Sequence, residues 1–361
     1  MANLDDIREL QGIDTGKTYE SILFLPDQCQ AVIKDLEKMI IPQDFLDVSS
    51  LVFCGMGGSA YGGRIIKSLY SDALKIPVDL VSDYHLPAFV NSSTLVIAAS
   101  YSGNTEETVT CLEEACRVNA KVIGICSGGK IADITRQSGK PCLVFSTVYN
   151  PSEQPRLGQG YMQAGQVGLL IKLGLLPSDA FESNALINEL RNENEKLSID
   201  KPAKENHAKK LAKDLENKIP IMLGGEFLEG AIHAVRNPFH ETGKHFAEYF
   251  ILPEANHHLM EGLSYPLEIK KSFVFIFVTS DLYSEQLKKR ITLTKEVVRK
   301  NGFPTLDINL KSKNKLNQVF ELIQLGSFLT FYLAMLHDLD PVKIPWVDYF
   351  KKELKKEYGE K

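Results

Sequence analysis

Residues 100–108, Ser100-Tyr101-Ser102-Gly103-Asn104-Thr105-Glu106-Glu107-Thr108, join two segments of different periodicity. Before them, Ser93 to Ala99 is a largely apolar run that predicts a buried strand. After them, Thr105 to Val118 carries apolar residues at Val109, Leu112 and Ala115, the spacing of a helix. The hydroxyl cluster therefore falls on a strand-to-helix turn. Gly103 can take the positive φ of a tight turn, and Thr105 suits the N-cap. The free N–H groups of a helix's first turn carry partial positive charge. Ser100, Ser102 and Thr105 set three hydroxyls beside them, a combination that suits a phosphate. Ordinary turn capping uses the same residue types.

Upstream, Ser50 to Cys54 reads as a short buried strand running into Gly55-Met56-Gly57-Gly58-Ser59-Ala60-Tyr61-Gly62-Gly63 and then a helix over Arg64 to Tyr70. Glycines at a strand-to-helix loop let a ligand approach the main chain. The spacing is not that of a dinucleotide fingerprint. The third glycine of G-x-G-x-x-G is replaced by Ala60, and only Asp79 or Asp83 could close the next strand. Further strands are predicted at Pro77–Val81, Lys121–Cys126 and Pro141–Phe145. Strands alternating with helices imply a doubly wound parallel sheet, which binds ligands at the carboxyl ends of its strands. Both the Gly55 and the Ser100 loops lie there.

Residues 1 to about 45 have helical spacing, with Pro26 starting the second run. Residues 146–162 form a polar loop whose one cation is Arg156, a planar donor suited to phosphate or to an oxygen that becomes negative in a reaction. Tyr161 to Leu173 reads as a helix. Residues 174–215 read as a connection whose charged stretch, Lys201 to Lys210, is the solvated face of a helix. The rhythm then restarts: a strand at Lys218–Leu223 ending in Gly224-Gly225-Glu226, a helix at Phe227–Val235, strands at Phe273–Val278 and Thr305–Ile308, and helices at 284–301, 319–337 and 345–357. The expected fold is α/β, two doubly wound parallel-sheet domains in tandem, divided into residues 1–180 and 181–361.

The chain has 361 residues, 44% of them hydrophobic, with a net charge of −5. That charge argues against a nucleic-acid partner, which calls for a basic face. The six cysteines form no Cys-x-x-Cys pair and read as free thiols of a reducing compartment. His257 and His258 are adjacent, unlike the i, i+4 pair of a helical zinc site, so no metal is expected. The acidic first ten residues do not resemble a signal peptide, and no apolar run approaching the roughly 20 residues of a membrane span is expected. A cytoplasmic protein without a membrane partner follows.

The Gly55–Ala60 loop followed by Ser100–Thr108 resembles the first half of a sugar isomerase (SIS) domain protein. Pro155-Arg156-x-x-x-Gly160-Tyr161, Arg236…Glu241-x-x-Lys244 and Pro253-Glu254-Ala255-Asn256-His257 resemble the bifunctional phosphoglucose/phosphomannose isomerases. The resemblance spans residues 45 to 355. Where that family has Asn-Glu-Asn, this chain has His240-Glu241-Thr242, and His258-Leu259 replaces Asn-Glu after the histidine.

The resemblance implies two SIS-type, flavodoxin-like domains and an aldose–ketose isomerase. It would interconvert glucose 6-phosphate and mannose 6-phosphate with fructose 6-phosphate, with no cofactor. Such a reaction needs a base for the proton shared by C1 and C2, donors for the enediolate oxygens, an acid–base group for ring opening and a clamp on the phosphate. By the resemblance, Gly57, Gly58, Ser59, Ser100, Ser102 and Thr105 hold the phosphate, and Glu241 is the base. Arg156 faces the developing charge. His257 assists ring opening from the partner subunit of a homodimer, and Lys351 of the C-terminal helix joins that step. The alternative is a sugar-phosphate-binding regulator without turnover. Such regulators usually carry a DNA-binding helical domain, and residues 1–45 are short and acidic for one.

Overall fold

In the computed structural model, which describes residues 2–358, nine strands form two separate sheets. The first contains β1 (Ser50–Cys54), β2 (Val78–Val81), β3 (Thr94–Ala99), β4 (Lys121–Cys126) and β5 (Cys142–Val144), in the order β2-β1-β3-β4-β5. The second contains β6 (Ile219–Gly225), β7 (Glu248–Leu252), β8 (Phe273–Thr279) and β9 (Thr305–Asn309), in the order β7-β6-β8-β9. Every pairing in both sheets is parallel. The second sheet thus repeats the strand order of the first four strands, and the tandem α/β expectation holds.

The strands of the first sheet alternate between two apolar layers, as the pleat requires. Leu51 and Phe53 of β1 and Leu95 and Ile97 of β3 face the large core shared with the second unit. Val52, Cys54, Val96 and Ala98 face a smaller cluster under the Glu106–Arg117 helix. With both faces covered, the strands read as unbroken apolar runs.

The two units are joined by close contact between the Tyr61–Leu69 helix, which leaves the glycine loop, and the Glu229–Glu241 helix. Gly230 makes this approach possible: a Cβ there would stand 2.5 Å from the Ile65 Cα. This crossing brings the far end of the Glu229–Glu241 helix to the loops of the first unit.

Several elements differ from expectation. β7 is an additional strand, and 183–197 and 207–215 are helices within the stretch read as a connection. Lys209, in the charged stretch read as solvated, is fully buried. It lies beside the apolar face of the His207–Leu215 helix, and its ammonium donates to the carbonyls of Ile199 (2.8 Å) and Lys201 (2.7 Å) and to Asp5 (3.2 Å). Those acceptors offset the cost of burying the charge. The helix expected to end at Val235 runs on to Glu241 with Pro238 inside it. The Lys315–Leu336 helix is long and apolar enough to cross a membrane, contrary to expectation, but 89% of its most apolar stretch is buried inside the protein.

Candidate active site

The residues expected to hold a phosphate lie in the loops at the carboxyl ends of β1 and β3. The Ser59 hydroxyl accepts the Tyr101 N–H at 3.0 Å, locking the glycine loop to the hydroxyl loop. Ser100 is buried. Its hydroxyl pairs with that of Thr105 at 2.8 Å and accepts the Gly103 N–H at 3.1 Å. Thr105 does occupy the N-cap of the Glu106–Arg117 helix, but its side chain does not cap it. Among the described residues the helix's first N–H groups therefore have no side-chain acceptor, while Ser102 is exposed and its hydroxyl accepts the Asn104 N–H at 3.3 Å. Gly103 has φ +71, and a Cβ there would lie 1.8 Å from the Gly128 carbonyl oxygen. The turn is thus pressed against the loop after β4, which also bonds to Asn104 through the Lys130 N–H at 3.1 Å.

The second unit has a counterpart of this loop, and its helix is capped. Glu226, just after β6, accepts the backbone N–H of Ser284 at 3.1 Å and also its hydroxyl, at the start of the Glu285–Lys300 helix. The carboxylate thus ties down the residue that caps this helix, whose own hydroxyl accepts the Leu287 N–H.

Arg156 lies beside the first unit's loops. A methyl group added at Gly58 would be 3.5 Å from the Arg156 Cα. The Arg156 side chain is 3% exposed. Its Nε donates to the Thr242 hydroxyl (3.2 Å), Nη1 to the Gln154 amide oxygen (2.7 Å), and Nη2 to the carbonyls of Pro341 (2.9 Å) and Val342 (3.0 Å). A guanidinium has five N–H groups. One on Nη1 remains, and that nitrogen stands 3.8 Å from the Glu241 carboxylate. Burial pulls the Arg156 pKa down, and Glu241 opposes the shift.

Glu241 is the last residue of its helix, half-buried, and its carboxylate accepts no hydrogen bond among the described residues. Its lone pairs are available for a proton. Burial first and the Glu241 charge second hold the fully buried Tyr61 hydroxyl above its usual titration range.

Sequence reasoning did not single out Tyr61, nor the contact of the Thr242 hydroxyl with Arg156. The structure brings Arg156 to Glu241 and to the Gly55–Ala60 loop, which Ser59 ties to the Ser100–Thr108 loop. His257, in the Glu254–His257 turn, and Lys351, in the Pro345–Tyr358 helix, are both exposed and make no hydrogen bond to that group among the described residues.

A bifunctional phosphoglucose/phosphomannose isomerase of Caldicellulosiruptor bescii is 31% identical over 341 residues, covering 93% of this chain and 98% of the relative. The chain belongs to the bifunctional phosphoglucose/phosphomannose isomerase family. Its relative in Thermoplasma volcanium, of the same description, is 33% identical over 84% of this chain and 91% of its own length. The family description "Bacterial phospho-glucose isomerase C-terminal SIS domain" matches residues 204–354, the unit that carries Glu241. A crystal structure of a hypothetical protein from Thermus thermophilus shares the fold, with a TM-score of 0.74 over 98% of this chain and 93% of that one at 17% identity.

Proposed function

We propose that the protein interconverts glucose 6-phosphate and mannose 6-phosphate with fructose 6-phosphate by proton transfer through an enediolate, and that this needs no metal. The observation that carries the reading is the Arg156–Glu241 pair at 3.8 Å beside an uncapped helix start with converging hydroxyls. The phosphate is held by Gly57, Gly58, Ser59, Ser100, Ser102 and Thr105, which supplies binding energy to position C1 and C2. Glu241 takes the C2 proton of the open-chain aldose and returns it to C1, while the proton of the C2 hydroxyl passes to the C1 oxygen, so that the carbonyl moves from C1 to C2. The C1 oxygen gains negative charge as the proton leaves C2. The remaining Arg156 N–H and the buried guanidinium charge stabilise that oxygen.

His257 assists ring opening from the partner subunit of a homodimer, and Lys351 joins it. In support, both side chains are exposed, and apolar residues lie exposed nearby in sequence: Phe246, Tyr265 and Leu267 near His257, and Trp346, Tyr349 and Phe350 near Lys351. Apolar surface of this kind marks interfaces. As part of the same reading, the units divide near residue 180 and the enzyme works in the cytoplasm on central sugar phosphates, in glycolysis and gluconeogenesis. The test is fructose 6-phosphate formation from each aldose 6-phosphate in a coupled assay. Turnover of both supports the reading, and turnover of neither overturns it.

A further inference from the structure

Lys244 lies at the site and has no role in the scheme above. It follows the Glu229–Glu241 helix with backbone φ +51. This left-handed region is common for glycine and asparagine and rare for lysine. Such strain persists where the surroundings enforce it, and it clusters at functional sites. The half-buried side chain turns back on the helix end. Its Nζ donates to the carbonyl of Glu241 itself and, at 2.9 Å, to that of Pro341.

The same Pro341 carbonyl accepts the Arg156 Nη2 N–H at 2.9 Å. One carbonyl therefore joins two cations and three segments: the helix end bearing Glu241, the turn bearing Arg156 and the stretch leading into the C-terminal helix. The charged groups facing Lys244 are Arg156 from the Pro155–Leu157 turn, Asp340 from the stretch around Pro341, and Glu241. His245, next in the chain, instead bonds to the Lys218 carbonyl and, at 3.1 Å, to His337.

We propose that Lys244 is a positioning residue. Its ammonium pins the end of the Glu241 helix to the Pro341 carbonyl, and so fixes where the Glu241 carboxylate and the Arg156 guanidinium stand relative to substrate. The role rests on the assignment of Glu241 and Arg156 proposed above.

Burial, and then Arg156, pull the Lys244 pKa down to about 8, against Asp340 and Glu241. The charged form makes the stronger hydrogen bonds. As pH rises through about 8 the clamp weakens, so activity falls on the alkaline side.

The experiment is the pH profile of kcat and KM for the wild type, Lys244→Met, Lys244→Gly and Lys244→Arg. Displacing a catalytic group by about 1 Å costs on the order of 100-fold. Lys244→Met is accordingly expected to lose roughly 10–100-fold in kcat with little change in KM, and to lose the alkaline limb. Lys244→Gly relieves the backbone strain and is expected to show the same kinetic loss without loss of melting temperature. Lys244→Arg is expected to restore most of kcat and to move the alkaline limb upward, because a guanidinium stays charged. Wild-type kcat in the glycine variant, or an alkaline limb unchanged in the methionine variant, overturns the proposal. If neither of those variants folds, the limb of Lys244→Arg decides: coincidence with the wild type overturns it, and an upward move supports it. A wild type without isomerase activity overturns the proposed function and this role together. An active wild type with unchanged variants overturns this role alone.

Discussion

Arg156→Met removes a planar cation from a site built around it and leaves the rest of the chain unchanged. Methionine fills much of the volume and supplies no N–H group. The loss removes four hydrogen bonds, those to the Thr242 hydroxyl, the Gln154 amide oxygen and the carbonyls of Pro341 and Val342, of which the Pro341 carbonyl keeps the Lys244 ammonium. At about 1 kcal/mol net for each bond, the cost is about 4 kcal/mol. The Glu241 contact adds little to stability, since the carboxylate side chain is 35% exposed and solvent screens it. A domain's total stability is on the order of 5–15 kcal/mol, so the variant is expected to be folded at 25 °C with a lower midpoint in urea. Its kcat is expected to fall about 10²–10³-fold, the usual cost of losing one donor to a developing oxyanion. The assays are urea unfolding followed by far-UV circular dichroism, and coupled turnover of glucose 6-phosphate. Destabilisation below about 1 kcal/mol together with near-parental kcat would refute the reasoning, because the contacts around Arg156 would then have no energetic consequence.

Two further outcomes are expected. Gly103→Ala forces a Cβ to within 1.8 Å of the Gly128 carbonyl at φ +71, whereas Gly57→Ala, at φ +51, meets open space. The second costs about 1–2 kcal/mol of backbone strain, and the first costs clearly more, because the loop after β4 must also retreat. Equal urea midpoints for the two variants would contradict the packing described for the hydroxyl loop. Dialysis against EDTA is expected to leave kcat unchanged, and a loss of activity restored by zinc would show a metal at work.

The parallel strands were legible because burial on both faces leaves a continuous apolar signature. β1 and β4 fall where that signature runs, Ser50–Cys54 and Lys121–Cys126. β7 was missed: Glu248-Tyr249-Phe250-Ile251-Leu252 is an edge strand, only half-buried over most of its length, and it opens on a charge. Pro238 hid the true length of its helix. A proline in the last turn forgoes one N–H bond, yet its own carbonyl still accepts the Thr242 N–H at 2.8 Å. Lys209 read as solvated because the carbonyls that receive it lie on a turn eight to ten residues away. The strand-to-helix turns at Gly55–Ala60 and Ser100–Thr105 were readable from local composition, since glycine and hydroxyl residues are what such turns need. The Arg156–Glu241 pair and the shared Pro341 carbonyl join residues far apart in the chain, and no local pattern encodes such contacts. The short motif Glu241-x-x-Lys244 was the one trace of the Lys244 clamp.

The central claim is that Glu241 moves the proton between C1 and C2, and solvent exchange reads that step directly. Glu241→Gln keeps the shape of the side chain and removes the base. The variant is to be incubated with glucose 6-phosphate in deuterium oxide, and incorporation at C2 followed by proton NMR beside the wild type. Exchange and isomerisation are expected to fall together by about 10²–10⁴-fold, with sugar-phosphate affinity near that of the wild type. Exchange at close to the wild-type rate would contradict the assignment and direct attention to Glu254.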